Sequence, residues 1–208
     1  MKTCKHCGAI LSRNETKLED IVGQEHAKRA LEVAIAGEHT IAFIGNGEAK
    51  ALAEIATRHG LTTWAIATCP CGYFGFNDGR RECTCSLSQI ARWQKRKAYQ
   101  NALQAEIVIE CPSPLPHQIE DWANRQRRET EATVLARVSQ AGERPAATLD
   151  ETGRSLMRVA ITQLELGTAR VNSILSIAQT IAALGHRERL ETYHLAEAIQ
   201  YRPRRRHV

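Results

Sequence analysis

The chain has 208 residues, of which 43% are hydrophobic and 25% are charged, a composition typical of an ordinary globular protein of one or two domains. No apolar run is long enough to cross a membrane, and the first residues, MKTCKHCG, lack the apolar core and cleavage site of a signal peptide. We therefore expect a protein of the reducing cytoplasm. In that compartment seven cysteines favour metal binding over disulfide bonds.

The formal net charge of +5 is unevenly distributed along the chain. Basic clusters can contact phosphate groups, although they are also common on solvated helix faces and in terminal tails. Aromatic residues make up only 5% of the chain, which argues against a surface for stacking bases. Three clusters stand out: Arg92 with Lys95, Arg96 and Lys97; Arg125 with Arg127 and Arg128, the candidate nucleic-acid contacts; and Arg202 with Arg204–Arg206.

Residues 1–17 are predicted to be an N-terminal cysteine knuckle followed by a linker. Cys4 and Cys7 have the Cys-x2-Cys spacing of half a zinc site, but two thiols do not complete a tetrahedron. They can recruit His6 or a partner's ligands, pair with a second molecule, or have no role. A second metal site at Cys4 and Cys7 therefore stays open.

Residues 18–145 begin with a helix, a strand and a second helix. Small and apolar residues recur at helical spacing from Gln24 to Ala36, and the uninterrupted apolar run Thr40–Ile44 suits a strand buried on both faces of a parallel sheet. A glycine-rich turn then leads into a predicted helix at Glu48–Arg58. Backbone N–H groups and a helix N-terminus in this setting can hold phosphate, with Gly45, Gly47 and Lys50 as the candidate nucleotide residues.

The turn itself does not complete a phosphate-binding loop. Such a loop reads Gly-x4-Gly-Lys-Ser/Thr, in which lysine neutralises the phosphates and the hydroxyl binds magnesium. Residues 45–51 read GNGEAKA: one residue is missing, Ala49 and Ala51 replace the second glycine and the hydroxyl, and Glu48 adds a negative charge. We therefore expect a degenerate Walker A motif without tight magnesium–ATP binding.

A strand predicted at Leu61–Thr68 leads directly into the block CPCGYFGFNDGRRECTC. Cys69, Cys71, Cys83 and Cys85 form two Cys-x-Cys pairs, and four thiolates complete a closed, structural zinc site. Disulfide bonds are the alternative, but a Cys-x-Cys disulfide closes a small strained ring and requires an oxidising compartment. The usual zinc spacing is Cys-x2-Cys, so the pairing here is a less familiar one.

The pattern after the cysteine block predicts a helix, a strand and then helices only. A helix from about Gln89 to Leu103 and a strand at Ala105–Glu110 are followed by three prolines and a long charged helix at His117–Gln140. Ala141–Pro145 is a plausible boundary before a helical lid and basic tail at 146–208. The predicted fold class is α/β: a reduced P-loop-type parallel sheet with a C-terminal helical lid.

Four stretches resemble the magnesium-chelatase-like AAA+ ATPases, specifically their ComM-type (YifB) branch. They are DIVGQEHAKRALE at 20–32, the cysteine block with its flanks at 69–86, IECP at 109–112, and the close formed by TIAAL at 180–184 and HLAEAIQYRP at 194–203. The resemblance implies an AAA+ fold. It also implies a family that uses ATP and magnesium to remodel DNA or protein partners, the ComM type being linked to branch migration and DNA uptake.

The chain departs from this family where ATP chemistry would occur. The family's polar sensor position falls on Ala67, its arginine finger falls near Gln104, and no acidic strand fits between Gly60 and Cys69. The resemblance assigns Arg170 as the second sensor arginine. Phosphoryl transfer depends almost entirely on positioned charge, so we expect no ATP hydrolysis.

These features predict a binding or regulatory module for an AAA+ ATPase or a DNA-processing partner. The alternatives are a weak ATP-binding subunit that a partner completes through Lys50 and Arg170, and a zinc-stabilised DNA-binding protein.

Overall fold

The computed structural model describes residues 16–45, 47–76, 81–124 and 129–204. Its strands are β1 (Ile41–Gly45), β2 (Thr63–Ile66) and β3 (Ile107–Cys111). A short 3₁₀ helix at Leu18–Asp20 precedes the α-helices. These are α1 (Glu25–Gly37), α2 (Gly47–Arg58), α3 (Leu87–Gln94), α4 (Lys97–Leu103), α5 (Pro116–Asn124), α6 (Glu131–Ser139), α7 (Glu151–Leu164), α8 (Thr168–Leu184) and α9 (Thr192–Gln200).

The described strands form one parallel sheet in the order β2-β1-β3. All five residues of β1 are buried, which explains why its sequence is an uninterrupted apolar run. In the register with β3, Ile41 pairs with Ile107 and Gly45 pairs with Cys111. The sheet with its flanking helices and helical C-terminal part confirms the predicted α/β class, a reduced AAA+ fold.

The two faces of the sheet pack against different layers. Phe43 and Ile109 belong to a large core that also contains Leu31 of α1, Leu52 of α2 and Leu195 of α9. The opposite face carries a smaller cluster, composed of Ala42, Ile44, Ala102, Ala105 and Val108. The large core therefore joins the sheet to the C-terminal helices.

Two segments cover parts of the sheet and of α8. The backbone N–H of Val108 donates to the carbonyl of Tyr201 at 2.7 Å, so the chain after α9 covers part of the outer edge of β3. The predicted boundary Ala141–Pro145 lies along α8, where Gly142 N–H donates to Ala183 O at 2.9 Å and the Gln179 side chain donates to Pro145 O at 2.7 Å. The division of the chain at this boundary stays a prediction.

A buried carboxylate joins three helices. The Glu32 side chain on α1 is 3% exposed and accepts hydrogen bonds from Arg29 at 2.9 Å and from Arg137 of α6 at 2.5 Å. Arg29 also donates to Glu197 of α9, which accepts from the hydroxyl of Tyr201. Because an unpaired buried carboxylate is costly, these two arginines are needed for the helices to pack around Glu32.

The helix predicted through Gln89 to Leu103 is interrupted. Helix α3 ends at Gln94 and α4 begins at Lys97, with Arg96 in an extended conformation between them. The Arg96 guanidinium lies 4.0 Å from the centre of the Trp93 ring, a cation–π contact that the break permits. The prediction of one continuous helix over this stretch was therefore wrong.

The long helix predicted at His117–Gln140 is also wrong. Helix α5 is described as far as Asn124, and α6 begins at Glu131 after the extended residue Thr130, which interrupts the predicted helix. The Thr130 hydroxyl accepts from the N–H of Thr133 at 3.2 Å, so it acts as an N-cap that starts a new helix.

The described helices include none that is long and apolar enough to span a membrane.

Gly45 is expected to tolerate no side chain. A Cβ atom at this position would lie 2.1 Å from the carbonyl oxygen of Cys111, which is backbone and cannot move aside. We expect Gly45→Ala to lower the free energy of unfolding by about 1–3 kcal/mol, measured by urea denaturation. Gly47→Ala is the matched control, because a Cβ there meets nothing within 4 Å. Equal stability of the two variants would contradict the close packing of β1 against β3.

Candidate metal centre

The cysteine segment connects the end of β2 to the start of α3. Two side chains of α3 hold the residues that follow β2: Trp93 Nε1 donates to Ala67 O at 2.8 Å, and Gln94 Nε2 donates to Thr68 O at 3.4 Å. At the other end of the segment, Ser86 caps α3 by accepting from Gln89 N–H at 3.3 Å. These contacts bring the two Cys-x-Cys pairs together.

The four predicted cysteines form one cluster. The sulfur atoms of Cys69, Cys71, Cys83 and Cys85 all lie within 4.8 Å of one another. The Cys69–Cys71, Cys71–Cys83 and Cys69–Cys83 separations are 3.3, 3.6 and 3.8 Å. Zn–S bonds of about 2.3 Å in a tetrahedron give sulfur separations of about 3.8 Å, whereas a disulfide requires about 2.05 Å. The four cysteines are free thiols and can bind a metal ion such as zinc.

The backbone supports the first sulfur directly. Cys69 is fully buried, and its sulfur accepts from the N–H groups of Gly72 at 3.2 Å and Phe74 at 3.4 Å. Gly72 has a φ of 85°, a left-handed conformation that glycine adopts without steric cost. Glycine at this position therefore lets the chain turn so that two N–H groups face one thiolate.

The thiols differ in how easily they ionise. Burial opposes ionisation of Cys71, but hydrogen bonds from the Tyr73 backbone and the Cys69 thiol outweigh it and lower the Cys71 pKa to about 6. Burial raises the pKa of Cys83 to about 12, and the neighbouring thiols Cys71 and Cys69 add to the increase. The pKa of Cys85 is also raised. Four adjacent thiolates therefore need a cation to offset their mutual repulsion.

Three further cysteines occur in the sequence, two of them at the predicted possible second metal site. Cys4 and Cys7 lie outside the described residues. Cys111 is buried at the end of β3, where burial raises the pKa of its thiol and the carboxylates of Glu48 and Glu110 raise it further. Cys111 therefore behaves as a packed core residue.

The predicted nucleotide turn is very short. Strand β1 ends at Gly45 and α2 begins at Gly47, so a single residue separates them. Glu48 lies half-buried in the first turn of α2, and Lys50 is exposed one position after the buried Ala49. Gly45, Gly47 and Lys50 thus lie within one short stretch of the chain, and Glu48 lies between Gly47 and Lys50 in that stretch.

Arg170 lies at the opposite end of the sheet. Its guanidinium donates to the carbonyls of Ala105 at 2.8 Å, Glu106 at 2.9 Å and Leu103 at 3.2 Å, which precede β3. Gly45 pairs instead with Cys111, four residues along β3 from its first residue, a distance of about 13 Å. The structure therefore does not bring Arg170 together with the β1–α2 turn.

The basic clusters are only partly described. Arg125, Arg127 and Arg128 lie outside the described residues, whereas Arg92, Lys95, Arg96 and Lys97 are exposed on α3 and α4. Sequence reasoning did not identify Trp93 and Gln94 as the residues that hold the cysteine segment. The available signal was a tryptophan on the predicted helix immediately after Cys85, since a partly buried indole N–H needs an acceptor.

Two models of one known protein family match this chain. The model described as magnesium chelatase, subunit ChlI, matches residues 17–60, and the one described as magnesium chelatase, subunit ChlI C-terminal, matches residues 115–202. Together they cover more than half of the chain, which is therefore a magnesium-chelatase-like protein. The cysteine cluster lies in the interval between the two matches.

A particular relative is similar to a short part of the chain. Competence protein ComM of Haemophilus influenzae is 54% identical to it over 33 residues, which are 16% of this chain and 6% of ComM. The similarity supports the ComM-type resemblance seen in the sequence. Because so little of ComM is covered, it does not transfer the activity of the whole relative.

The purified chain is expected to carry one metal ion on the four-cysteine cluster. Cys83→Ser should lose this ion and lower the melting temperature, because the remaining thiolates no longer close the site. Metal content by plasma mass spectrometry, together with thermal unfolding before and after chelation, measures both effects.

Cys111→Ala is the control, since this buried thiol is outside the cluster and its loss should leave the metal in place. A second metal equivalent that disappears in Cys4→Ser would assign a further site to Cys4 and Cys7. Metal-free protein with all its thiols readily alkylated in the folded state would refute the cluster as a metal site.

Proposed function

We propose that this chain is a degenerate, non-hydrolysing magnesium-chelatase-like protein that binds and regulates an active AAA+ ATPase. The observation that carries the proposal is the single residue between β1 and α2. A phosphate loop must wrap several backbone N–H groups around the anion, and this connection is too short to do so. Glu48 also repels the phosphates at the helix terminus.

The remaining contacts of the described chain support the same conclusion. Arg170 has three backbone carbonyls as partners at the far end of the sheet, and the polar sensor position is occupied by Ala67. Phosphoryl transfer requires several positioned cations around one phosphate group. A single exposed lysine, Lys50, does not replace them.

The metal in this proposal is zinc with a structural role. Four cysteine ligands leave no coordination position for substrate or water, and thiolates select a soft ion over magnesium. The cluster links β2 to α3, which also holds the strand through Trp93. Zinc would therefore stabilise the sheet without taking part in a reaction.

A partner from the same family is favoured because both ends of the chain match the family. Residues 17–60 and 115–202 match the magnesium-chelatase family models. On this proposal they keep the surfaces by which members of the family assemble, while the nucleotide turn does not keep its chemistry. Such a chain can join an assembly of active relatives without contributing a working site. The expected consequence is reduced ATP turnover by the partner.

Lys50→Ala should change neither ATP affinity nor turnover. The side chain is exposed beside Glu48 and, on this proposal, holds no phosphate. Isothermal titration with magnesium–ATP and a phosphate-release assay on both proteins measure the two quantities. A clear loss of affinity in Lys50→Ala would favour the alternative of a weak ATP-binding subunit completed by a partner.

The regulatory role predicts an effect on a ComM-type ATPase from the same organism. Mixing the two proteins should give a complex in size-exclusion chromatography and lower the ATP turnover of the partner in proportion to the chain added. The Cys83→Ser protein, tested in the same way, shows whether the metal-bound cysteine cluster is needed for this effect. Unchanged turnover with a monomeric chain would count decisively against this role.

A second candidate function is nucleic-acid binding. The observation in its favour is the exposed basic surface of α3 and α4, where Arg96 packs on the ring of Trp93. DNA affinity that falls steeply with salt, and that weakens on replacement of Arg92 or of Arg125, Arg127 and Arg128, would support it over the regulatory role.

A further inference from the structure

A groove runs between α4, the turn that joins α7 to α8, and the segment after α9. It has a volume of about 990 Å³. Three arginines line it, Arg170, Arg202 and Arg204, together with the amides Gln94, Gln100 and Gln163. Among the described residues of its lining, Glu165 is the one carboxylate. The groove therefore carries an excess of positive charge.

The arginines of this groove differ from those that hold the helices together. Arg29, Arg58 and Arg137 each lie within 3.0 Å of a glutamate oxygen. Arg170 and Arg202 instead donate to backbone carbonyls, Arg202 to Ile199 O at 2.9 Å. A carbonyl orients a guanidinium but does not neutralise it.

These carbonyl contacts fix the guanidinium groups while leaving donors free. The bonds from Arg170 use at most three of its five N–H groups, and the bond from Arg202 uses one. The remaining donors belong to groove-lining side chains that are already positioned, which lowers the entropy cost of binding an anion.

The surroundings of the groove disfavour the charged forms of its arginines. Burial lowers the pKa of Arg170, although the charge of Glu106 opposes this shift, and burial together with the charge of Arg204 lowers the pKa of Arg202. Partly desolvated like charges repel strongly because little water lies between them. An anion in the groove would offset both effects.

We propose that this groove binds a small ligand that carries a chain of phosphate groups. Each guanidinium matches the geometry of a phosphate oxygen pair, and three of them around one groove favour several linked phosphates over a single one. The volume is that of a small-molecule site. The site is separate from the β1–α2 turn and does not depend on the proposed regulatory role.

The test uses the full chain as purified and inorganic tripolyphosphate as the probe, with magnesium absent. Isothermal titration should show one binding site per chain. In the double variant Arg202→Met/Arg204→Met the affinity should fall by about tenfold or more, because charge-assisted hydrogen bonds are lost. The Arg154→Met/Arg158→Met variant removes the same charge from the exposed face of α7 and should bind as the unchanged chain does.

The other outcomes are equally informative. Equal losses in the two double variants would mean that net charge alone attracts the anion, and equal affinity for citrate would mean that the groove does not select phosphate; either would overturn the proposal. Loss of tripolyphosphate binding in Lys50→Ala would move the site to the β1–α2 turn. Binding of single-stranded DNA without binding of tripolyphosphate would identify the groove as a nucleic-acid surface instead.

Discussion

Strand β1 is buried on both faces and paired along both edges, and this enclosure determines where a ligand can reach the sheet. Because β3 lies directly beside β1, Gly45 packs against the carbonyl of Cys111 with no space for a side chain. Helix α2 begins at Gly47, two residues after Gly45 ends the strand, and on the proposed function this connection has too few backbone N–H groups to surround a phosphate. In a P-loop fold this connection is the loop that holds the nucleotide, and here it is one residue long.

A sheet this small gains from a cross-link at its weaker side. Strand β2 has four residues, none of them buried, whereas β1 is buried throughout. The cysteine cluster begins three residues after β2 and returns the chain to α3, whose Trp93 and Gln94 bind the carbonyls of Ala67 and Thr68. Metal binding at a site of this kind is coupled to folding. A metal bound there would therefore stabilise β2, which buries little apolar surface of its own.

The sequence predicted the parts of this structure that follow from local patterning. Periodicity located α1, β1, α2 and the C-terminal helices within a few residues, and cysteine spacing identified the cluster before its geometry was known. The breaks at Arg96 and Thr130 were missed because the apolar spacing does not mark them. Each is an extended residue that precedes a new helix, and the Thr130 hydroxyl caps the start of α6. The position of Arg170 could not be predicted either, since its partners are carbonyls 64–67 residues away in the sequence.

Two acidic side chains of this chain lie where a parallel α/β sheet usually binds its ligands. Ligands of such sheets normally bind beyond the carboxyl ends of the strands, where helix N-termini face the anion. Here that end carries the carboxylates of Glu48 and Glu110, both close enough to raise the pKa of the Cys111 thiol, and Arg202 and Arg204 line a small pocket beside Glu110. Arg202 and Arg204 also line the larger groove together with Arg170, whose guanidinium binds carbonyls just before β3. If both proposals hold, an anion that this chain recognises would bind in the groove lined by Arg170, Arg202 and Arg204 and not at the β1–α2 turn.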